Sequence, residues 1–262
     1  VPQRPSLAWR SACLLPKLRV DDSMTASRIL RPQGTGRFVL FCDHASNYIP
    51  AELYRLGLPV AECARHIAWD IGAAGVTAAL SKILDAPAIL CNTSRLVIDC
   101  NRQLNHADLI PEISDGTVIP GNLNLSETDR GIRITRWFHP YHNAIESVLL
   151  DRETRGVQSV VVSIHSMTAV LAGEPRPWHI AISSHIDRSF AEPVLAALRR
   201  PCDIVVGDNQ PYDVNPETDY SIPFHALRRS LPHIQVEFRQ NEIPDATTQY
   251  RWALRFAQVL VS

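Results

Sequence analysis

Two apolar stretches of this sequence run straight into histidine. Arg37 to Cys42 is followed by Asp43-His44-Ala45-Ser46-Asn47, and Val157 to Ile164 is followed by His165-Ser166-Met167. In α/β proteins, ligands collect outside the carboxyl ends of buried strands. Neutral imidazole is also the commonest protein ligand for metals, so the pair His44 and His165 points to a divalent metal site. The competing explanation is that both rings only satisfy the backbone of the loops that follow. A third apolar run, Leu96 to Cys100, is preceded by Arg95, interrupted by Asp99 and followed by Asn101-Arg102. A planar guanidinium holds a carboxylate by two parallel hydrogen bonds, so Asn101 and Arg102 form a candidate carboxylate clamp, with Asp99 placed to orient an arginine. Plain solvation of these arginines is the alternative. Glu237 stands between Val236 and Phe238 in the run Ile234 to Phe238. Burial there raises a carboxylate's pKa toward the range of a general base, unless a neighbouring arginine such as Arg239 neutralises it in a salt bridge.

Weaker candidates follow. His225, after Tyr220-Ser221-Ile222-Pro223 in a long polar segment, is positioned to enter a site as a lid residue together with Tyr220. His66, His139 and His142 fall on helical patterns, and His106, His179, His185 and His233 read as structural. No GxSxG elbow, P-loop, GxGxxG after a strand or HExxH helix occurs, which removes serine-triad hydrolysis, nucleotide binding and zincin chemistry from the leading functions.

The elements that must position these residues are short Val- and Ile-rich runs alternating with helical periodicity. Strands are expected at Arg37 to Cys42, Ala88 to Cys91, Leu96 to Cys100, Val157 to Ile164, Trp178 to Ser183, Asp203 to Val206 and Ile234 to Phe238. Helices are expected over Ala64 to Leu84, from Ser126 with Asp129 as a capping partner, over Ser189 to Arg200, and from Asp245 onward. Alternation of this kind implies a single α/β domain of three layers, α/β/α, around a mostly parallel mixed sheet. The stretches Gln103 to Leu125 and Gly207 to Ser230 read as long functional loops. Residues 1–33, which begin with Val1, carry Met24 and lack periodicity, read as a flexible extension before a catalytic domain at 34–262.

The totals bound the partners. The 262 residues carry 26 Lys and Arg against 27 Asp and Glu, a net charge of −1, which asks for neither nucleic acid nor an anionic membrane. No apolar run approaches the roughly 20 residues that span a bilayer. Cys13, Cys42, Cys63, Cys91, Cys100 and Cys202 form no CxxC pair and read as reduced thiols, which leads to a cytoplasmic expectation. A monomer or small homo-oligomer acting on a small molecule fits this composition.

The ordered set of motifs resembles the N-formylglutamate amidohydrolase family. It comprises Asp43 to Pro50, His66 to Ala73 (with Trp69-Asp70), Ser94 to Arg102, His165-Ser166, Gly207-Asp208-Asn209, Asp219 to His225, and Val236 to Gln240. The resemblance covers nearly everything from Phe38 onward and is to the branch of predicted N-formylglutamate amidohydrolases. It implies a fold similar to the zinc carboxypeptidases and aspartoacylase-like deacylases, the zinc-exopeptidase (phosphorylase/hydrolase)-like class. It also implies a zinc ion on His44 and His165, the Asn101-Arg102 clamp and Glu237 as base. One departure stands out: where those enzymes carry a zinc-binding glutamate three residues after the first histidine, this chain has Asn47, and an amide is the poorer ligand. Either Asp70 supplies the missing oxygen or the metal is held weakly; Asp70 is the expected third ligand.

The implied activity is metal-dependent hydrolysis of the linear amide of an N-formyl or short N-acyl amino acid, such as N-formylglutamate, to the free amino acid and formate. In that scheme Arg95 faces the developing oxyanion, while Tyr220 and His225 close over the substrate. The rivals are a non-catalytic carboxylate-binding or regulatory homologue with a decayed metal site, and a related N-acyl amino acid deacylase.

Overall fold

The computed structural model describes residues 25–262; the extension expected over residues 1–33 therefore lies largely outside the described residues, as does Cys13. Seven strands form one sheet: β1 (Ser27–Leu30), β2 (Phe38–Cys42), β3 (Ala88–Cys91), β6 (Val160–Met167), β9 (Ile180–Ser183), β10 (Val206–Asp208) and β11 (His233–Arg239). Two small hairpins, β4 (Ile113–Ser114) with β5 (Thr117–Val118) and β7 (Val170–Leu171) with β8 (Glu174–Pro175), stand apart from it. The spatial order is β1-β3-β2-β6-β11-β9-β10. Within this sheet, β1 with β3 and β11 with β9 pair antiparallel, and the other pairs are parallel.

Alternation along the strands splits the apolar side chains between two cores. Phe38, Leu40 and Cys42 pack with Val162, Ile164, Val236 and Phe238 against α2 (Ala73–Leu84), α5 (Ala191–Arg199) and α7 (Ala246–Val261). Val39, Phe41 and Val161 face the other way, onto α4 (His139–Thr154) and α6 (Ser221–His225). The short helices α1 (Val60–Cys63) and α3 (Glu127–Arg133) complete the chain. This is the expected α/β/α sandwich around a mostly parallel sheet. Ser126 caps α3 by accepting from the Asp129 amide at 3.1 Å, and Asp245 caps α7 in a capping box with Thr248.

Four expectations about elements are corrected, the simplest being that the strand expected at Asp203 to Val206 forms at Val206–Asp208. The run Leu96 to Cys100 is not a strand: it is buried as a coiled turn, held by Val97 N to Ser94 O at 2.9 Å and Asp99 N to Leu109 O at 2.7 Å. Continuous burial explains the apolar run without a strand, because a short apolar run carries no period. The helix expected over Ala64 to Leu84 forms only from Ala73. Before it, Asp70 N donates to His44 O and Arg95 N to Ala68 O, so this segment serves the neighbouring loops instead of its own helix. The sheet also begins earlier than residue 34, because Ser27–Leu30 is a partly exposed edge strand whose pattern lacks an apolar run.

Cys42, Cys63, Cys91, Cys100 and Cys202 are free thiols. Among the described residues no helix is long and apolar enough to cross a membrane.

Candidate active site

The site lies at the carboxyl ends of β2, β6 and β11. His44 leaves β2 two residues past its end. His165 lies within β6, directly opposite Glu237 in the parallel register of β11. Period-two alternation places Val161, Ser163 and His165 on one face, with Gln235 and Glu237 beside them, so one sheet face changes from apolar core to polar floor along its length. Asp70 arrives from the turn before α2. Gly72 makes that turn possible: its φ is +84°, and a Cβ there would lie 2.5 Å from Ile243 O.

Three buried groups converge. Asp70 Oδ2 lies 3.3 Å from His44 Nδ1 and 2.9 Å from His165 Nδ1. The opposite ring nitrogens are each backed by a carboxylate. His44 Nε2 meets Asp99 Oδ1 at 2.7 Å; His165 Nε2 meets Asp43 Oδ2 at 3.3 Å and Ser163 Oγ at 3.0 Å. Asp99 is held below the usual carboxylate range: burial pushes it up, and the charges of Arg95 and His44 outweigh that. Asp43 is likewise low, burial being outweighed by His165, and it accepts from Tyr141 Oη at 2.7 Å and Ser221 Oγ at 2.6 Å. An ionised carboxylate only accepts, so both Nε2 atoms carry hydrogen, and each Nδ1, facing the equally ionised Asp70, holds either a proton or a cation. Two lone pairs aimed at one carboxylate oxygen repel unless a proton or a cation sits among them.

This donor set, two imidazoles and one carboxylate within 4.8 Å of one another, suits a divalent cation, and its histidines have the carboxylate backing typical of metal-bound imidazole. Without a cation, protons take its place. His165 is raised well above the usual imidazole range, burial being outweighed by Asp43 and Asp70, and His44 is raised in the same sense. Asn47 is not part of the cluster: it is exposed and donates to Cys63 O at 3.0 Å.

Glu237 is buried beside this cluster and its pKa is pushed up to about 7, chiefly by burial, with His165 opposing and Asp70 adding to the shift. The salt bridge that would have explained it away is absent among the described residues, since Arg239 pairs with Glu242 at 2.7 Å. Arg95 donates to Asp99 Oδ2 at 2.6 Å and lies 3.7 Å from Asp70 Oδ1. His44, Asp70, Arg95, His165 and Glu237, with Asn101 and Arg102, line a cavity of about 230 Å³.

The remaining expectations divide. Asn101 lines the cavity, but its Oδ1 accepts from the Tyr220 and Ser221 amides at 3.2 and 3.0 Å, which ties it to the start of α6. Arg102 lines the cavity and is committed to Asp219 at 2.9 Å. Tyr220 and His225 do not line it. Tyr220 packs against Phe138, His142 and Phe224 in a separate groove, and His225 is fully buried, 3.0 Å from His142 Nδ1. α6 buries the His225 ring in the core formed with α4 and packs Tyr220 on its edge, so neither side chain lines the cavity.

That placement has a pH consequence. Burial, reinforced by His142 and Arg229, lowers the His225 pKa to about 2. The unfolded chain therefore binds a proton that the native protein refuses below about pH 6.5, and stability falls with acidification over that window. His225→Gln is expected to make the pH dependence of unfolding free energy shallower by about 1.4 kcal/mol per pH unit between about pH 6 and 4. Urea unfolding across pH checks this, and an unchanged slope would refute it.

Asp43, Gln235, Arg176 and Tyr212 were not singled out from sequence. Asp43 directly precedes His44, and an acid at a strand end beside a candidate ligand was a usable signal; for Arg176 and Tyr212 nothing local distinguishes them.

The model of the N-formylglutamate amidohydrolase family matches residues 36–243. A gene product of Agrobacterium tumefaciens of known crystal structure is 31% identical, with a TM-score of 0.88 over 91% of this chain and 94% of that one. The crystal structure of N-formylglutamate amidohydrolase from Ralstonia eutropha shares the fold at 16% identity, with a TM-score of 0.66 over 91% of this chain and 98% of the other. No curated protein sequence matches this chain.

Proposed function

The chain belongs to the N-formylglutamate amidohydrolase family, a family of amidohydrolases, and from that premise we propose that it is a metal-dependent hydrolase of N-formyl or short N-acyl amino acids. The observation that carries this reading is the convergence of His44 Nδ1, His165 Nδ1 and Asp70 Oδ2 beside a base of raised pKa. His44, Asp70 and His165 would hold the ion, zinc being the best match to two imidazoles and a carboxylate. When bound, such an ion polarises the acyl carbonyl and makes a water molecule acidic enough to lose a proton near neutral pH. Glu237 accepts that proton on its carboxylate and returns it to the leaving nitrogen, so the amine departs neutral. Arg95, fixed by Asp99, places its guanidinium toward the oxygen that gains charge in the transition state; one such donor is typically worth roughly 3 to 4 kcal/mol. The arginines lining the cavity fit a substrate that carries a free carboxylate.

The test is formate release from a panel of N-formyl amino acids by protein loaded with zinc and by protein stripped with a chelator. Release that depends on the metal is expected. Protein that takes up no metal and releases no formate would instead favour the carboxylate-binding homologue.

A further inference from the structure

Three guanidinium groups line the cavity: Arg95, Arg102 and Arg176. The first two already have carboxylate partners, Asp99 for Arg95 and Asp219 for Arg102. Arg176 has no salt bridge among the described residues, although only 9% of its surface is exposed; its charge is felt by Glu237 in the same cavity, and its Nη2 donates to Tyr212 Oη at 2.7 Å. A buried cation without a counterion is costly, and folds retain such groups where a ligand supplies the missing charge. The backbone here is built for position. Arg176 N donates to Ala169 O at 2.8 Å, and Arg239 Nη1 donates to the Arg176 and Pro177 carbonyls at 3.3 and 3.2 Å. Beside it, Thr168 Oγ1 is buried with no hydrogen-bond partner among the described residues and lines the same cavity. A planar cation, a phenol and an unused hydroxyl thus share one wall.

We infer that Arg176, positioned by Tyr212 and assisted by Thr168, is the fork that grips the carboxylate of the acyl-amino acid, while Arg102 serves chiefly to hold Asp219 and the α6 loop. This rests on the hydrolase reading for the identity of the ligand, but its test does not require turnover. Calorimetric titration of the purified protein with L-glutamate measures carboxylate binding directly. Arg176→Gln is expected to weaken it about 30- to 100-fold, the usual worth of a hydrogen-bonded charged group. Arg176→Lys retains the charge without the fork and falls between, and Arg102→Lys, whose guanidinium is spent on Asp219, weakens binding less than Arg176→Gln does. L-glutamine and L-isoglutamine each lack one carboxylate, so the one whose affinity becomes insensitive to R176Q lacks the group that Arg176 holds. Because the guanidinium forms no salt bridge among the described residues, R176Q should melt at the wild-type temperature or above. Absence of glutamate binding to the wild type, equal binding by R176Q, or a loss confined to R102K would overturn the assignment. Failure of formate release, with glutamate binding still dependent on Arg176, would refute the hydrolase reading alone.

Discussion

Glu237→Gln is expected to lower turnover on an N-formyl amino acid by roughly 10² to 10⁴, the range a positioned general base supplies, while fold and metal content stay intact. The amide is nearly isosteric and cannot accept the proton. Gln235 Nε2 donates to Glu237 Oε1 at 3.3 Å, so the substitution costs one weak contact with little change in volume. The pH profile adds a second readout. Glu237 must be ionised to act, and its pKa, pushed up to about 7 by burial, would be pulled down by a bound cation. The wild-type kcat/KM should therefore fall as pH drops through a value below about 7, and E237Q should lose that limb. Turnover per folded molecule unchanged in E237Q would reduce Glu237 to a structural carboxylate.

Asp70→Asn is expected to weaken metal binding by at least about 100-fold, whereas Asn47→Ala should leave it unchanged. An amide is a poor replacement for a carboxylate ligand, and losses of 10- to 100-fold already follow from removing groups one shell further out. Asn47 cannot share the role, since its amide is spent on Cys63 O away from the cluster. Metal and protons compete for the same two Nδ1 lone pairs, so wild-type affinity should also fall as pH is lowered, with protons released on binding. Metal analysis after dialysis, with calorimetry in two buffers of different ionisation enthalpy, checks both statements. Metal loss in N47A with retention in D70N would reverse the ligand assignment.

The sequence determined more of this protein than its weak individual signals suggest. Fully buried strands leave continuous apolar runs, so β2, β3, the start of β6 and β9 are legible, as is β11 from its alternating Ile234, Val236 and Phe238, and with them the α/β/α class. Polar residues that end or interrupt such runs are few and conspicuous, which is why His44, His165 and Glu237 stood out. Tertiary structure alone decided how the other groups are used. Apolar burial without a period hid that Leu96 to Cys100 is a turn, so Asn101 and Arg102 were given a strand end when their side chains serve α6 and Asp219. Tyr220 and His225 lie in a polar stretch, but the five-residue helix α6 buries the His225 ring in the core and leaves Tyr220, at its N-cap, packed on the core's edge. Arg176 shows the limit most clearly: whether a guanidinium is paired depends on the carboxylates that distant segments bring near it, and no local pattern encodes that distance.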